Sequence, residues 1–473
     1  MNDEQPRRDP YDDQVYSPRP ADAARRSPLY SIPYQDHFIL YSPLRRLAFA
    51  GNRAMANLAA ATLAEPDGKE PAAQSEARTF LESVGLLQPP LVDPAVLDGE
   101  TPFAPSIVVL LLTTSCNFRC AYCYASAGGA RGGLMPLDAG LAAIDLACRN
   151  AQTRGEASYS LSFHGGGEPT LAWDHLRQLV EHARSRSLPA KISLASNGFW
   201  TQEQRDWILA SIDDISLSCD GLPEVQDRQR PLASGAPTSE AVYATIRELD
   251  GHGKNYGIRL TVTEAAIDNL APGIEHLCRE TACRGFQAEP AFGHGRARAE
   301  RRALLSGERF VAAFLQAHDV ASRHGRELAY SGARPFALTG TFCAAPQSAL
   351  IVGADGRLTA CYEVFDSGVD LGEQFFFGRI AGDGTLSVDQ ARRRSFLSKI
   401  RERRALCRGC FCYYHCAGDC PAKTLTPDGQ GHTRFGPRCE VNRAITKGLL
   451  ARLICQADGV WKGQMASTFL LCR

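Results

Sequence analysis

The sequence predicts an α/β protein whose centre is a parallel sheet, and two observations support this fold class. First, six short apolar segments rich in β-branched residues occur between residues 104 and 300. They are residues 106–114, 158–164, 190–196, 214–218, 257–263 and 285–290. Second, most of them are separated by segments with helical spacing of apolar residues, and this alternation is typical of parallel βαβ units. Six units form either an incomplete barrel or an open sheet, and in both the active site lies at the carboxyl ends of the strands.

The composition excludes several classes of protein. The 473 residues suggest two to four domains, and 52 basic and 52 acidic residues leave no formal net charge. Neither nucleic acid nor a membrane surface is therefore predicted as a partner. The longest apolar run, Ile107 to Leu112, is far shorter than the ~20 residues of a membrane-spanning helix. The polar N-terminus also lacks the apolar core of a secretion signal, so we expect a cytoplasmic protein.

Shifts in composition divide the chain into five predicted parts. Residues 1–32 are rich in Pro, Arg, Asp and Ser and are predicted to be a disordered tail. Residues 33–95 predict a small α+β module of two short strands and two helices, and residues 104–325 predict the α/β core. Residues 326–445 are rich in Cys, Gly and aromatic side chains, so this part is expected to fold around bound metal. Residues 446–473 are predicted to form a closing helix and tail.

Three of the 17 cysteines follow the first predicted strand directly. Cys116, Cys120 and Cys123 form a CxxxCxxC pattern in one loop. Thiolates select zinc, Cu(I) or iron–sulfur centres, and a structural zinc site needs a fourth ligand that this loop does not contain. A cubane bound by three cysteines would keep one iron open for a small-molecule ligand. Three buried thiols, or a zinc site completed from a distant residue, are the alternative interpretations.

This loop resembles the signature of the radical S-adenosylmethionine (SAM) superfamily, CxxxCxΦC, with Tyr122 as the aromatic residue. The resemblance implies a partial (β/α)6 TIM-like barrel and a [4Fe–4S] cluster bound by Cys116, Cys120 and Cys123. It also implies that SAM chelates the open iron and is cleaved reductively to a 5′-deoxyadenosyl radical, which abstracts a hydrogen atom.

Three further strand ends resemble motifs of the same superfamily. Residues 163–170 resemble its GGE motif, in which glycines allow close backbone approach and Glu168 can accept a hydrogen bond from the SAM ammonium. Ser196-Asn197-Gly198 resembles the (T/S)NG segment, and residues 216–230 resemble SxDG…HDxxR, with Cys219 as an interruption and Gln226 where His is common. The cofactor-binding residues that the resemblance implies are Gly166, Gly167, Glu168, Ser196, Asn197, Ser218, Asp220 and Arg230.

A second group of cysteines resembles the seven-cysteine SPASM domain in order and spacing. The resemblance implies two auxiliary [4Fe–4S] clusters. The first would be bound by Cys343, Cys361 and Cys420, and the second by Cys407, Cys410, Cys416 and Cys439. The first then has only three thiolates, so that either the additional Cys412 fills the gap or an open iron binds substrate. A zinc ribbon is the rival interpretation, since CxxC pairs often bind zinc.

These resemblances predict a radical enzyme that modifies a polypeptide. The module at 33–95 loosely resembles the winged-helix-like element that binds leader peptides, and such elements bind a peptide as an added strand at a sheet edge. The leading hypothesis is a maturase that abstracts hydrogen from a residue of a ribosomally made precursor peptide. The product would be a crosslink or another oxidative modification. A flavodoxin- or ferredoxin-type electron donor is expected from this chemistry.

Two alternatives to the peptide maturase stay open at this point. One is an anaerobic sulfatase-maturating enzyme, which forms formylglycine. In that family an Asp follows the second SPASM cysteine, whereas Tyr362 and Glu363 follow Cys361 here. Either of these two side chains could accept a proton near the substrate. The other alternative is a non-enzymatic zinc or electron-transfer protein.

Overall fold

The computed structural model describes most of the chain. The described residues are 15–17, 28–64, 75–94, 100–129, 133–293, 295–299, 305–364, 373–381, 383–425 and 437–463.

The strands are numbered in chain order. They are β1 (Val15–Ser17), β2 (Leu29–Tyr34), β3 (His37–Ser42), β4 (Leu47–Gly51), β5 (Ile107–Leu110), β6 (Tyr159–Phe163), β7 (Ala190–Ser196), β8 (Asp214–Ser218), β9 (Tyr256–Val262), β10 (Gly285–Pro290), β11 (Glu327–Ala329), β12 (Ala349–Val352), β13 (Arg357–Thr359), β14 (Phe376–Ile380), β15 (Leu386–Val388) and β16 (Val460–Trp461).

The helices are numbered in the same way. They are α1 (Arg53–Ala64), α2 (Ser75–Ser83), α3 (Leu137–Thr153), α4 (Trp173–Arg184), α5 (Gln202–Ser211), α6 (Pro223–Gln229), α7 (Ser239–Gly251), α8 (Leu270–Glu280), α9 (Gly295–Ala299), α10 (Gly307–Arg323), α11 (Ala345–Ser348), α12 (Gln390–Leu406), α13 (Tyr413–Cys416), α14 (Pro421–Thr424) and α15 (Pro437–Gln456).

The larger sheet contains the six predicted parallel strands. Strands β5 to β10 pair in chain order, each parallel to the next. In the described part of the chain β5 and β10 do not pair with each other, so the sheet is not closed into a complete barrel. This confirms the predicted α/β class with a parallel sheet.

The sheet extends beyond the predicted core at residues 104–325. Strand β11 adds to β10 in parallel, and β12 adds in parallel to β5 at the other side, with Ala349 opposite Ile107. Antiparallel strands β13 to β15 follow β12. Strands from the cysteine-rich part therefore continue the core sheet, because the apolar segment 349–352 is completely buried against the first barrel strand.

Alternation along the parallel strands separates the two faces of the sheet. In β6, Tyr159, Leu161 and Phe163 are buried, whereas Ser160 and Ser162 are only partly buried. Successive side chains of a strand point to opposite faces, so one face packs against the helices and the other carries small polar residues. The two faces of the sheet at β6 therefore differ in polarity.

A smaller sheet forms at the N-terminal module, in the order β1-β2-β3-β4-β16. The two strands and two helices predicted for residues 33–95 are present, but β2 begins at Leu29 and pairs with β1. Of the tail predicted at 1–32, residues 15–17 and 29–32 are strand, and residues 1–14 and 18–27 lie outside the described residues. α15 runs through the predicted boundary at 445/446, and β16 returns to pair with β4. Strand pairing between distant segments is not visible in local composition.

One face of this smaller sheet packs against the second cysteine group. The buried side chains of Tyr30, Ile39 and Tyr41 share an apolar core with cysteines 407 to 416 and with Trp461. The Tyr41 hydroxyl donates a hydrogen bond of 2.9 Å to the Pro335 carbonyl. The N-terminal module is therefore an integral cover of the cysteine-rich part rather than an appendage. None of the described helices is long and apolar enough to cross a lipid bilayer.

Candidate functional site

The first cysteine loop lies where the chain leaves β5. Cys116, Cys120 and Cys123 are all partly exposed. Backbone bonds from Arg119 N to the Pro231 carbonyl and from Ala121 N to the Gln229 carbonyl, both 2.8 Å, fasten the loop to the segment that follows β8. The loop is therefore held from a neighbouring strand end as well as from its own.

The three thiols influence one another electrostatically. Burial raises the pKa of Cys116 to about 12, with further contributions from the charges of Glu168, Cys120 and Cys123. Burial also raises the pKa of Cys120, against the lowering effect of Arg230. Binding of a metal centre would replace the protons on these thiols. Three thiolate donors that lie close enough to influence one another fit an iron–sulfur cluster.

No three Cys, His, Asp or Glu side chains within the described ranges have the spacing that holds a single metal ion. A cubane does not require that spacing, because each of its cysteines ligates a different iron.

Glu168 connects three strand ends through its buried carboxylate. It is 2% exposed, and its Oε1 accepts hydrogen bonds from Ser196 Oγ at 2.7 Å and Thr170 Oγ1 at 2.8 Å. Its Oε2 accepts one from the Asn197 amide at 2.8 Å, and its own amide donates to the Ser115 carbonyl at 2.8 Å. The motifs predicted after the second and third strands thus form one network beside the cysteine loop.

The glycines before Glu168 bring backbone segments together. Gly166 has a φ of 141°, which favours glycine. A Cβ atom on Gly167 would lie 2.0 Å from the Ser115 carbonyl oxygen. The sequence led us to expect close approach to a ligand, but at Gly167 the approaching group is the cysteine loop itself. A side chain there would displace the loop that carries Cys116.

Asp220 and Arg230 meet at the aromatic residue of the cysteine motif. The Tyr122 hydroxyl donates to Asp220 Oδ2 at 2.6 Å and accepts from Arg230 Nη1 at 2.6 Å. Gln229 Nε2 also donates to Asp220 Oδ2, at 2.9 Å. All of these side chains are largely buried, so they fix Tyr122 and the loop on both sides of it.

Ser218 and Gln226 have different environments. Ser218 ends β8 and is partly exposed, which leaves it accessible. Gln226, which stands where the family often has His, is completely buried. Its Oε1 accepts from the Asp220 amide at 3.0 Å and its Nε2 donates to Thr238 Oγ1 at 3.1 Å. Gln226 therefore supports the segment that holds Asp220.

The first auxiliary cysteine group is assembled from three separate segments. Burial raises the pKa of Cys361 well above its usual range, with further contributions from the charges of Cys420, Glu363 and Cys343. Lys423 Nζ lies 3.3 Å from Glu363 Oε1. The three cysteines that the resemblance assigned to one cluster are thus electrostatic neighbours, and a carboxylate–ammonium pair lies among them.

The second auxiliary group lies under the N-terminal module. Burial raises the pKa of Cys416, with contributions from Asp419 and then from the other three cysteines assigned to this group, Cys407, Cys410 and Cys439.

Cys412 belongs spatially to this second group. Its amide donates to Cys410 Sγ at 3.4 Å, and its own Sγ lies 3.5 Å from Thr446 Oγ1. The cysteines whose charges raise its pKa are Cys410 and Cys416, both of the second group.

Sequence reasoning missed residues that lie between the first cysteine loop and the first auxiliary cysteine group. His164 follows β6 directly, and its ring lies 5.2 Å from the ring of Tyr362. Within the described ranges, its buried Nδ1 has no hydrogen-bond partner. Burial lowers the pKa of His164 to about 4, as does the charge of Arg259, while Glu363 opposes this. The sequence signal that could have pointed to His164 is its place directly before the glycine run at 165–167.

Tyr124 of the first cysteine loop lies near Tyr362 as well. Burial raises its pKa, with further contributions from the charges of Glu363 and Cys123, and Cys361 also contributes. Tyr124 also packs in the same apolar cluster as Cys343 and Tyr362, so the thiol loop after β5 and the first auxiliary group lie side by side.

Comparison with known proteins agrees with this arrangement. Residues 110–264 match the Radical SAM superfamily, and this range covers the cysteine loop, the Glu168 network and Asp220. The sporulation killing factor maturation protein SkfB of Bacillus subtilis (strain 168) is 26% identical over 282 residues, which are 59% of this chain and 64% of that protein. This chain thus aligns with less than two thirds of the length of that curated relative.

Solved structures share the fold. Native anSMEcpe with bound AdoMet has a TM-score of 0.58 at 17% identity, covering 74% of this chain and 99% of that chain. Streptococcus suis SuiB bound to precursor peptide SuiA has a TM-score of 0.50 at 12% identity, covering 90% of this chain and 98% of that chain. At these identities the likeness concerns the fold alone.

Proposed function

We propose that this chain is a peptide maturase, because residues 110–264 match the Radical SAM superfamily, whose members use a [4Fe–4S] cluster and SAM. It abstracts hydrogen from a residue of a ribosomally made precursor peptide and thereby introduces a crosslink or another oxidative modification. The observation that carries the proposal is that Tyr124, next to Cys123, packs in the same apolar cluster as Cys343 and Tyr362 of the first auxiliary group. A SAM-dependent site and an auxiliary cysteine group that lie side by side suit the oxidation of a bound polypeptide.

In the proposed site Cys116, Cys120 and Cys123 hold the cluster. When bound, the cluster and SAM supply a 5′-deoxyadenosyl radical that abstracts a hydrogen atom. Glu168 is the proposed acceptor for the SAM ammonium, since Oε2 accepts a single hydrogen bond from the described residues and a carboxylate oxygen has two lone pairs. Ser196 lies beside it in the same network.

Four other residues of the cofactor site have more indirect proposed roles. Gly167 allows the cysteine loop to approach, while Asp220 and Arg230 position the loop through Tyr122. Ser218 is the accessible member at the end of β8 and is proposed to contact SAM.

The two auxiliary groups are proposed to hold one [4Fe–4S] cluster each. Cys412 lies among the cysteines of the second group, which argues against its use in the first. Cys343, Cys361 and Cys420 would then leave one iron open, and the peptide substrate is the proposed ligand of that iron. A flavodoxin- or ferredoxin-type protein is the proposed electron donor.

Glu363 is the proposed proton acceptor of the reaction. Lys423 stabilises its negative charge at 3.3 Å, so a carboxylate is available beside Cys361. Tyr362 and His164 form the adjacent wall and are proposed to orient the substrate residue. The carboxylate stands one residue later than the Asp of sulfatase-maturating enzymes, which distinguishes the proposal from that alternative.

Anaerobic reconstitution tests the proposal. The wild-type chain should bind about 12 irons with matching sulfide and release 5′-deoxyadenosine with dithionite. Cys116→Ala should abolish the release, whereas Cys455→Ala, a change at an exposed cysteine outside the three groups, should not. Zinc without iron, or SAM cleavage by Cys116→Ala, would refute the assignment.

Mass spectrometry of two peptides then separates the proposed function from its runner-up. The first is the peptide encoded beside the gene, and the second is a sulfatase peptide with an active-site Ser or Cys. A loss of hydrogen confined to the first supports the maturase, while formylglycine in the second would favour the sulfatase-maturating alternative.

A further inference from the structure

The chain that leaves β10 returns to the first cysteine loop. Arg296 of α9 donates hydrogen bonds from Nη1 to the Cys120 carbonyl at 2.6 Å and from Nη2 to the Ala127 carbonyl at 2.9 Å. Its backbone amide donates to the Cys123 carbonyl at 2.9 Å. One residue thus holds the loop at two of the proposed cluster ligands and at a position beyond them.

We propose that Arg296 is a positioning residue of the first cysteine loop, which holds the loop around its cluster and raises the reduction potential of that cluster. The role rests on the proposed function, which places a cluster at Cys116, Cys120 and Cys123. It goes beyond that function, because Arg296 lies outside every motif that pointed to the cofactor site.

The glycine before Arg296 allows the segment to touch the loop. A Cβ atom on Gly295 would lie 2.3 Å from the carbonyl oxygens of both Cys123 and Tyr124. A side chain at this position would therefore push the segment away from the loop. Close backbone contact at Gly295 is what brings the Arg296 guanidinium within reach of its two carbonyls.

The guanidinium also brings a positive charge to a proposed cluster ligand. Burial raises the pKa of Cys120, and the charges of Arg230 and Arg296 oppose this. Arg230 lies 4.0 Å from the Asp220 carboxylate, whereas the carbonyls that Arg296 contacts carry no net charge. A positive charge near a cluster favours its reduced state, because that state carries one more negative charge.

The other end of the same segment contacts the cysteine-rich part of the chain. The centroid of the Phe292 ring lies 3.8 Å from Lys423 Nζ and 4.7 Å from Arg438 Cζ, and both are cation–π contacts. Lys423 follows Cys420 closely in the chain, and Arg438 directly precedes Cys439. The segment therefore connects the first cysteine loop to the part of the chain that carries both auxiliary groups.

Redox titration of the reconstituted full-length enzyme tests the effect on the reduction potential. Electron paramagnetic resonance follows the clusters at equal iron content, and the signal that changes when SAM is added identifies the cluster of the first loop. At a fixed potential, Arg296→Gln should lower the ratio of reduced to oxidised cluster about tenfold, which equals a shift of about 59 mV for one electron.

Two further variants show whether the charge causes this shift. Arg296→Lys keeps the positive charge, so its ratio should stay within about twofold of the wild type. Arg247→Gln, a change at an exposed arginine of α7, should have no effect. An unchanged potential in Arg296→Gln, or an equally low potential in Arg296→Lys, would overturn the proposed effect on the cluster.

Hydrogen exchange of the same proteins tests the positioning. The amides of Cys123 and Ser126 donate hydrogen bonds inside the loop. Both variants of Arg296 should exchange these amides about tenfold faster, because neither Gln nor Lys has the rigid fork that holds two carbonyls. Exchange in α7 should stay at the wild-type rate. Unchanged exchange of the loop amides in both variants would overturn the positioning role.

The wild type separates a failure of this role from a failure of the proposed function. If the wild-type chain binds no iron, the proposed function and the role of Arg296 fail together. If it binds the clusters and cleaves SAM while Arg296→Gln matches it in potential and in exchange, only the role of Arg296 is wrong.

Discussion

The proposed cofactor site after β5 and the second auxiliary cysteine group are built in opposite ways. In the first, strand ends that follow one another in the parallel sheet contribute side chains, and hydrogen bonds such as those of Glu168 connect them. In the second, the cysteines are enclosed by an apolar core to which both ends of the described chain contribute, from Tyr30 to Trp461. In the first region hydrogen bonds fix the orientation of the side chains. In the second region burial keeps solvent away from the cysteines.

This comparison predicts that the first region is sensitive to the loss of single hydrogen-bonding groups. Glu168→Ala leaves the Ser196 hydroxyl and the Asn197 amide without their acceptor in a buried site. We expect at least a hundredfold weaker SAM binding and a loss of about 3 kcal/mol in the free energy of unfolding. Equilibrium dialysis and urea denaturation measure the two effects.

The matched control for this change is Glu181→Ala on the exposed face of α4, which should alter neither quantity. SAM binding at the wild-type level by Glu168→Ala would show that the network is not part of the cofactor site.

The second region should respond instead to a loss of packing. Trp461→Ala removes a buried ring between the smaller sheet and the cysteine-rich part and should cost about 3–5 kcal/mol. Solvent then reaches the second group, so we expect about tenfold faster loss of iron from it in air. Iron release followed by absorbance, with electron paramagnetic resonance to distinguish the clusters, measures this.

In the same experiment the cluster of the first cysteine loop should decay at the wild-type rate. Equal acceleration of all clusters would mean that the two regions are not protected separately.

Two tyrosine hydroxyls, those of Tyr122 and Tyr41, extend the comparison of the two regions. Tyr122→Phe removes the hydroxyl that joins Asp220 and Arg230, and it should slow SAM cleavage about tenfold, with a loss of about 1–2 kcal/mol of stability. Tyr41→Phe removes one bond to the Pro335 carbonyl and should lower stability by about 1 kcal/mol without slowing SAM cleavage. Equal effects on catalysis would contradict the positioning role of Tyr122.

The smallest expected effect is a dependence of stability on pH, and it arises from a residue outside both regions. Burial lowers the pKa of His318 on α10 to about 4, and the charge of Arg452 contributes in the same direction. The unfolded chain then binds this proton more strongly than the folded chain does. The contribution to stability is therefore complete above pH 6.5 and is lost as the pH falls towards 4.

Urea denaturation at pH 7.5 and pH 5 measures this dependence. The difference between the two pH values should be smaller in His318→Gln than in the wild type, and unchanged in His252→Gln, where the histidine is exposed. An identical pH dependence in His318→Gln would exclude His318 as its source.

Much of the first region was predictable because its signals are local. The six strands and the motifs that follow them were found from short apolar runs and from the residues at their ends. The part played by Tyr122 was not predictable in the same way. Its partners Asp220 and Arg230 lie about a hundred residues away, and only the meeting of two strand ends brings them together.

The smaller sheet shows more clearly what could not be predicted from the sequence. The strand β16 is two residues long and carries no recognisable pattern, yet it pairs with β4 and closes one edge. β2 and α15 run across the boundaries predicted at residues 32 and 445, because composition reports local preference and not the pairing of distant segments.

By itself the sequence determined the parallel α/β core and the three thiols after its first strand, since these depend on periodicity and spacing along one stretch of chain. The division of the later cysteines into two sets is what the resemblance to the SPASM domain implies. The tertiary structure decided that the Glu168 carboxylate binds the strand end at Asn197. It also decided that Cys412 lies with the second auxiliary cysteine group, and that the smaller sheet covers this group. The physical reason is that hydrogen bonds and apolar contacts between distant segments form only when the whole chain buries its core.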